Sequence, residues 1–377
     1  MDKFLITARC TFGLEGILKK EIMRLGYEIA KSAEGFVSIY GDMNDVYNLN
    51  LNLRTATRVL IELSEFEARS FYELFDNVAE IRFKDFLPKD ARFDVEKISS
   101  VKSELFSKSD CQRIITKAAV ESMKRDHKIS RLTESGANYP IYAYIKNDTA
   151  KICLNTSGDS LHRRGYRLEQ GKAPLKEDLA AGLVLLSGYY GREVLADIMC
   201  GSGTILIEGA MIAANIPAGI NRNFGFEKWK TFDKDQYSLV REESISRIRP
   251  VENPILGSDI DGNVLKKARE NAKRAGVGDM VHFQKMDMRE FRSKKKGGII
   301  ITNPPYAERI GERKITEKLY KDLRPVFEAL DGWRMYVLSG NEDFTRLYGK
   351  KPDKNRKLFN GNMMSYVYMY GLGNNKK

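Results

Sequence analysis

Asn303-Pro304-Pro305-Tyr306 brings together groups suited to chemistry at a planar nitrogen. An exocyclic amine on a heteroaromatic ring is a poor nucleophile, because its lone pair is delocalised into the ring. Acceptors aimed at its two N–H bonds favour the pyramidal nitrogen that can attack an electrophile. Asn303 Oδ1 and the Pro304 carbonyl are such acceptors, and two prolines fix φ and hold that carbonyl in place. Tyr306 can stack on a flat substrate. Asn303, Pro304 and Tyr306 are therefore the expected catalytic residues. The alternative for the same four residues is a rigid turn at a strand end.

A second set of residues lies upstream. Asp197-Ile198-Met199-Cys200-Gly201-Ser202-Gly203-Thr204 falls where a strand pattern ends and a helix pattern begins. Glycines there let the chain turn tightly and approach a ligand closely. The third glycine of a dinucleotide fingerprint is missing, since Ile205-Leu206 occupy that stretch, and no GxxxxGK[ST] phosphate loop exists. The turn suits a ligand without a pyrophosphate. Asp259 and Asp287 end the next two strand patterns. A carboxylate in the first position can accept from both ribose hydroxyls, and one in the second can meet an adenine amino group. Each acid alone reads as a helix cap or turn residue. Three of them in successive strand–helix units, with the glycine turn at the first, point to a ligand at the carboxyl ends of a parallel sheet.

The elements that must position these groups follow from periodicity. From 176 onward strands and helices alternate: a helix over 176–187, strands over 194–197, 255–259, 281–284, 298–302, 335–338 and 365–370, and helices over 204–215, 263–275 and 316–330. Such alternation predicts a doubly wound, mostly parallel sheet. The first 65 residues read as a small α+β unit, with strands at 4–8, 36–40 and 57–66 and helices at 14–25 and 45–53. A second unit has helices at 71–78 and 109–123 and strands at 91–95, 139–146 and 149–155. Asn147-Asp148 makes the tight turn between the last two.

Composition narrows the class. The net charge is +12, with 24 basic and 24 acidic residues in 1–160 against 39 and 27 in 161–377. The whole excess lies in the C-terminal part, which favours an anionic partner such as nucleic acid. No apolar run is long enough for a membrane helix. The four cysteines form no CxxC pair and only three histidines are present, so a metal site or disulfide framework is not expected, and a cytoplasmic location is.

The residues around 197, 259, 287 and 303 resemble those of the class I S-adenosylmethionine-dependent methyltransferases, over about 176–370. The resemblance implies that the turn holding Asp197, Cys200, Gly201, Gly203 and Thr204 wraps the methionine part of the cofactor. It implies that Asp259 holds the ribose, that Asp287 contacts the adenine, and that Asn303 also borders the cofactor. The motif leaves adenine N6, cytosine N4, guanine N2 and glutamine amides open as acceptors. Relatives usually have proline where Ile198 stands and glycine where Ala307 stands.

Two further stretches bear on the substrate. Leu161-His162-Arg163-Arg164-Gly165-Tyr166-Arg167 and Ala173-Pro174-Leu175-Lys176-Glu177, with Asn155-Thr156-Ser157-Gly158 before them, resemble the junction between a THUMP RNA-binding domain and its catalytic domain. This is the pattern of THUMP-containing ribosomal RNA guanine-N2 methyltransferases. Gly203 and Asp259 are 56 residues apart, where a simple two-strand unit needs about 20, so an insertion is expected near 216–252. Its interleaved basic and aromatic residues suit an unstacked RNA loop. Arg163, Arg164, Tyr166, Arg167, Arg222, Lys228 and Trp229 are the candidate RNA contacts.

The expected architecture is thus α/β. A Rossmann-like class I methyltransferase domain (161–377) follows a ferredoxin-like α+β unit (1–65) and a THUMP domain (66–160). The expected activity is methylation of guanine N2 in large-subunit ribosomal RNA. An adenine-N6 or protein-glutamine methyltransferase, or a non-catalytic RNA-binding assembly factor, are the alternatives.

Overall fold

The computed structural model describes residues 3–167, 175–305, 310–361 and 363–373. Tyr306, Ala307, Ala173 and Pro174 lie outside the described residues.

The N-terminal half is built on one sheet. Its elements are β1 (Phe4–Cys10), α1 (Glu15–Arg24), β2 (Lys31–Ala33), β3 (Phe36–Gly41), α2 (Met43–Asn52), β4 (Ala56–Glu67), α3 (Phe71–Ala79), β5 (Val95–Val101), α4 (Lys108–His127), β6 (Ile141–Lys146) and β7 (Thr149–Asn155). The strand order is β2-β3-β1-β4-β7-β6-β5. The two units read separately in the sequence are joined edge to edge, because β4 pairs antiparallel with β7 from Leu60↔Asn155 to Glu67↔Thr149. Alternation fixes which face is covered: Ile6, Ala8, Val37, Ile39, Val59 and Ile61 are buried in the main core. Capping sets the starts of two helices. Asp42 and Asp45 form a capping box on α2, and Ser70 and Glu73 form one on α3. Asn147 and Asp148 both have positive φ, 50° and 61°, as a two-residue hairpin turn of the type I′ class requires.

One expected strand is displaced. The 91–95 segment contributes only an isolated bridge at Arg92, and the strand runs over Val95–Val101. This is the sheet edge, where Val95 alone is fully buried, so it needs no strict apolar alternation.

The second half continues with α5 (Glu177–Ser187), β8 (Leu195–Asp197), α6 (Thr204–Ala213), α7 (Lys234–Ser246), β9 (Ile255–Asp259), α8 (Gly262–Arg274), β10 (Val281–Lys285), β11 (Gly298–Thr302), α9 (Ile310–Glu328), β12 (Trp333–Ser339), α10 (Phe344–Tyr348), β13 (Lys354–Asn360) and β14 (Met363–Tyr370). The strand order is β10-β9-β8-β11-β12-β14-β13. β8 to β12 are parallel, and β14 runs antiparallel to both β12 and β13. Strand order reverses between β8 and β11, and such a switch point opens a crevice at the carboxyl ends of the strands. All five residues of β11 are buried, as a continuous apolar run in a central parallel strand demands. No helix among the described residues is long and apolar enough to cross a membrane.

The insertion after α6 fastens the two halves together. Trp229 stacks on Tyr139 with centroids 4.8 Å apart, and its indole N–H donates to the Asn138 carbonyl at 3.1 Å. Phe226 packs on Tyr47 at 4.8 Å and on Phe224 at 5.3 Å. These rings bridge from the catalytic half to α2 and to the segment before β6. Trp229, expected to contact RNA, is instead buried as an interdomain rivet.

Candidate active site

β8 delivers Asp197 to the switch point, and β11 delivers Thr302 and Asn303 beside it. The Thr302 hydroxyl donates to Asp197 Oδ1 at 2.8 Å, and the Met199 N–H donates to the same oxygen at 3.2 Å. Asp197 is almost fully buried, and its carboxyl is pushed up to about 7. Desolvation dominates; the bonds from Thr302 and Met199 oppose it, and the nearby Asp259 charge adds to it. Thr302 was missed in the sequence reading. Its signal is a lone hydroxyl ending an otherwise aliphatic buried strand, where an unpaired O–H would be costly.

The turn after β8 is held from the neighbouring strand. Gly201 N–H donates to Asp259 Oδ2 at 2.9 Å, and Asp261 N–H donates to Asp259 Oδ1 at 3.0 Å. Gly201 has φ +51°, and nothing lies within 4 Å of the place a Cβ would take, so its outer face is open. Gly203 has φ +81°, and a Cβ there would meet the Phe283 ring at 3.0 Å. One glycine thus opens toward a ligand and the other permits close packing. Cys200 is buried, and burial pushes its thiol well up. Its thiol donates to the Gly201 carbonyl at 3.8 Å.

Asp287 caps the 3-10 turn Met288–Glu290 by accepting from Arg289 N–H at 2.9 Å. The Arg289 guanidinium reaches Asp287 at 2.8 Å and Asp322 on α9 at 2.7 Å. Past β11, the Tyr320 hydroxyl on α9 donates to the Pro305 carbonyl at 3.1 Å. That bond holds the segment carrying the paired prolines, and Tyr320 was not anticipated. Its ring is buried against Phe344 at 5.1 Å. Asn303 is half-buried at the end of β11.

Three family models match the chain. An RMKL-like methyltransferase domain covers 164–368, an RlmL ferredoxin-like domain covers 6–60, and a THUMP domain covers 68–155. The Bacillus subtilis (strain 168) protein YpsC, named as an RNA methyltransferase, is 41% identical over 375 residues, 98% of this chain and 96% of its own. The chain belongs to this family of THUMP-containing, RMKL-like methyltransferases. A large-subunit ribosomal RNA methyltransferase K/L from Cellvibrio japonicus is 33% identical over 97% of the chain. The chain spans only about half that relative's length, 51%. The solved methyltransferase SMU.472, complexed with S-adenosylhomocysteine, is 35% identical over 98% of both chains with a TM-score of 0.92.

The methyl donor of the family is S-adenosylmethionine, and the residues present fit it. Open space over Gly201 and a carboxylate at each of the ends of β8 and β9 suit its amino-acid and ribose parts. Ile260, 66% exposed directly after Asp259, leaves an apolar side chain bare where a flat base can lie. The Thr204 hydroxyl accepts from Arg167 Nη2, so Thr204 reaches the cofactor turn through a side chain already engaged.

The family's expected RNA contacts separate into two groups. Arg164 and Tyr166 are buried, and the Tyr166 hydroxyl donates to Glu208 at 3.0 Å. Arg164 donates to the carbonyls of Leu161 and Arg54 and lies 3.5 Å from Glu208. Arg167 is tied to Glu177 at 3.5 Å and to the Leu175 carbonyl at 3.2 Å. Arg164 and Arg167 neutralise the buried carboxylates of Glu208 and Glu177 at the domain junction, and Tyr166 adds a hydrogen bond to Glu208, so the expectation that these three grip RNA is corrected. Arg163 and Lys228 are exposed. Both line a cavity of about 570 Å³ with Arg222 and Arg58, the last not anticipated. Arg222 donates to the carbonyls of Ser160 and Asp159 at 2.8 Å. It keeps its charge at the cavity wall while organising the loop.

Proposed function

We propose that this protein transfers a methyl group from S-adenosylmethionine to the exocyclic N2 of a guanine in large-subunit (23S) ribosomal RNA. The observation that carries the reading is the Thr302–Asp197 hydrogen bond. It fixes the start of Asn303-Pro304-Pro305 against the cofactor turn across the switch point of the sheet. When bound, the cofactor supplies an electrophilic methyl group on a sulfonium. Asn303 Oδ1 and the Pro304 carbonyl accept the two N–H bonds of the incoming amine and favour its pyramidal form. Tyr320 holds the Pro305 carbonyl and so restrains the strand exit that presents these acceptors. The amine loses its proton after transfer, and the chemistry asks for no strong base. Tyr306 is the proposed stacking platform for the flipped guanine.

RNA as the substrate is supported by the THUMP match and by the names of the relatives. The cavity walled by Arg58, Arg163, Arg222 and Lys228 offers cationic groups for its backbone. The ferredoxin-like unit, THUMP domain and catalytic domain are proposed to divide near 65 and 160, although one sheet joins the first two. A ribosomal substrate places the activity in the cytoplasm. Transfer of tritium from labelled S-adenosylmethionine to RNA, followed by nucleoside analysis, tests the reading. N2-methylguanosine is expected. N6-methyladenosine or label in protein glutamine would replace the acceptor. Failure to bind S-adenosylhomocysteine by calorimetry would return the chain to the class of non-catalytic assembly factors.

A further inference from the structure

A cationic groove lies at the end of the catalytic sheet opposite the methyl-transfer site. Asp197, Asp259 and Asn303 are at the carboxyl ends of their strands. The groove instead lies where α1 meets the last turn of α5 and the segments entering β8 and β9. Two adjoining cavities of about 550 and 230 Å³ form it, sharing Glu21, Arg24, Leu185 and Tyr190. Six cationic side chains line them: Lys20, Arg24, Arg54, Arg192, Arg249 and Arg356.

Their partners show what the groove lacks. Arg54 is buried and donates to the Ile216 carbonyl at 2.7 Å, but its Nη1 has no hydrogen-bond partner. Arg249 donates to the Ala213 carbonyl at 3.0 Å. Arg24 stacks on the Tyr190 ring at 4.1 Å. Among the described residues, none of the six has a carboxylate within 4.0 Å. Elsewhere the protein pairs its arginines readily, as with Arg289–Asp322 at 2.7 Å, Arg324–Glu328 at 2.9 Å and Arg334–Glu193 at 2.5 Å. The one acid in the groove, Glu21, is occupied by the backbone N–H groups of Arg54 and Thr55 and by the Thr55 hydroxyl. Burial pushes its carboxyl up, which weakens it as a counter-charge.

Six cationic side chains line the groove around one half-buried acid, and an anion in it relieves their mutual repulsion. Guanidinium forks match phosphate oxygens. The aromatic surface is already used, because Arg24 covers Tyr190. The ligand is therefore recognised by its charge and not by a base. The two cavities adjoin, and Lys20, Arg24, Arg192 and Arg249 are exposed along them, which fits a chain of phosphates better than a single enclosed one.

We propose that this groove binds the phosphodiester backbone of the substrate RNA, anchoring it at the end of the catalytic sheet remote from the reacting base. The proposal rests on RNA being the substrate. It is tested with the full chain, comparing the parent with R24Q/R192Q, two exposed positions. The control K266Q/K273Q removes the same charge from the exposed face of α8. Binding to deproteinised large-subunit ribosomal RNA is measured by anisotropy between about 50 and 200 mM salt, where each lost phosphate contact lowers the log–log slope by about 0.7 to 0.9. R24Q/R192Q should lower the slope by about 1.4 to 1.8, with S-adenosylhomocysteine affinity unchanged. The control should change the slope much less. A slope change equal to the control's overturns the groove while leaving RNA methylation standing. A parent that neither binds nor methylates RNA overturns both. Inorganic phosphate that raises the melting temperature of the parent alone, with equal RNA slopes, would assign the groove to a small free anion instead and overturn the backbone proposal.

Discussion

Replacing Asp197 by Asn separates the electrostatics of the cofactor turn from its geometry. Asn keeps an oxygen able to accept from Thr302 and Met199, the two donors that Asp197 Oδ1 serves. It removes a charge that burial has made costly. The folded carboxyl sits at about 7 against an ordinary value of 3.8. The folded state therefore binds the proton more tightly than the unfolded state. Stability from this group is full below about pH 4 and is lost progressively as pH rises toward 7. At 1.36 kcal/mol per unit, the loss approaches about 4 kcal/mol above pH 7. D197N without ligand should thus be more stable than the parent at pH 8 by up to that amount, and the difference should shrink steadily toward pH 4. Cofactor binding should show the opposite trend. If the ionised carboxylate faces the cofactor's ammonium, parent affinity for S-adenosylhomocysteine rises about tenfold from pH 6 to pH 8 and levels off above 7. D197N should bind weakly with no such slope. Thermal melts across pH and calorimetric titrations at pH 6, 7 and 8 measure both. A D197N protein less stable than the parent at pH 8, or with an unchanged pH slope of binding, would refute the reasoning.

Three further changes probe the same construction. Thr302→Val deletes the bond that lowers the Asp197 value, so the midpoint of the pH-dependent binding curve should move up, read by the same titrations. Asn303→Ala should lower methyl transfer by on the order of a hundredfold or more, while S-adenosylhomocysteine affinity is kept; equal loss of both would make Asn303 a structural residue. Trp229→Ala removes the stack on Tyr139 and the bond to Asn138, and should cost about 3 to 5 kcal/mol in urea unfolding. RNA affinity per folded molecule should stay the same, since the indole is buried.

How far these features were legible in the sequence varied with what each residue needs. β11 was readable because a central parallel strand must be apolar on both faces, and its end fixed Asn303. The positions of the acids at 197 and 259 were readable because each closes a strand, whereas Asp287 falls two residues past β10 and caps the following turn. β13 was not, since Lys354-Asn355-Arg356-Lys357 forms a charged edge strand that carries little pattern. α7 escaped for a similar reason: only Tyr237 and Ser244 are buried along its length.

The domain junction shows a different limit. Arg164, Tyr166 and Arg167 suit phosphate as well as they suit a buried carboxylate, and only the fold decides. Yet the deciding signal was present. α6 is Thr-Ile-Leu-Ile-Glu-Gly-Ala-Met-Ile-Ala, buried throughout, and a lone Glu208 in such a helix requires a partner. The nearby Arg-Arg-Gly-Tyr-Arg segment supplies it. The aromatic residues of the insertion were equally ambiguous, and packing against Tyr47 and Tyr139 claims them.

The central claim is that Asn303-Pro304-Pro305, set beside the cofactor turn, methylates an exocyclic amine of RNA. The most direct measurement incubates the purified protein with tritiated S-adenosylmethionine and deproteinised large-subunit ribosomal RNA, then digests the RNA to nucleosides and separates them. Label in N2-methylguanosine, abolished in N303A, is the expected result. Label absent from RNA, or equally incorporated by N303A, would contradict the account.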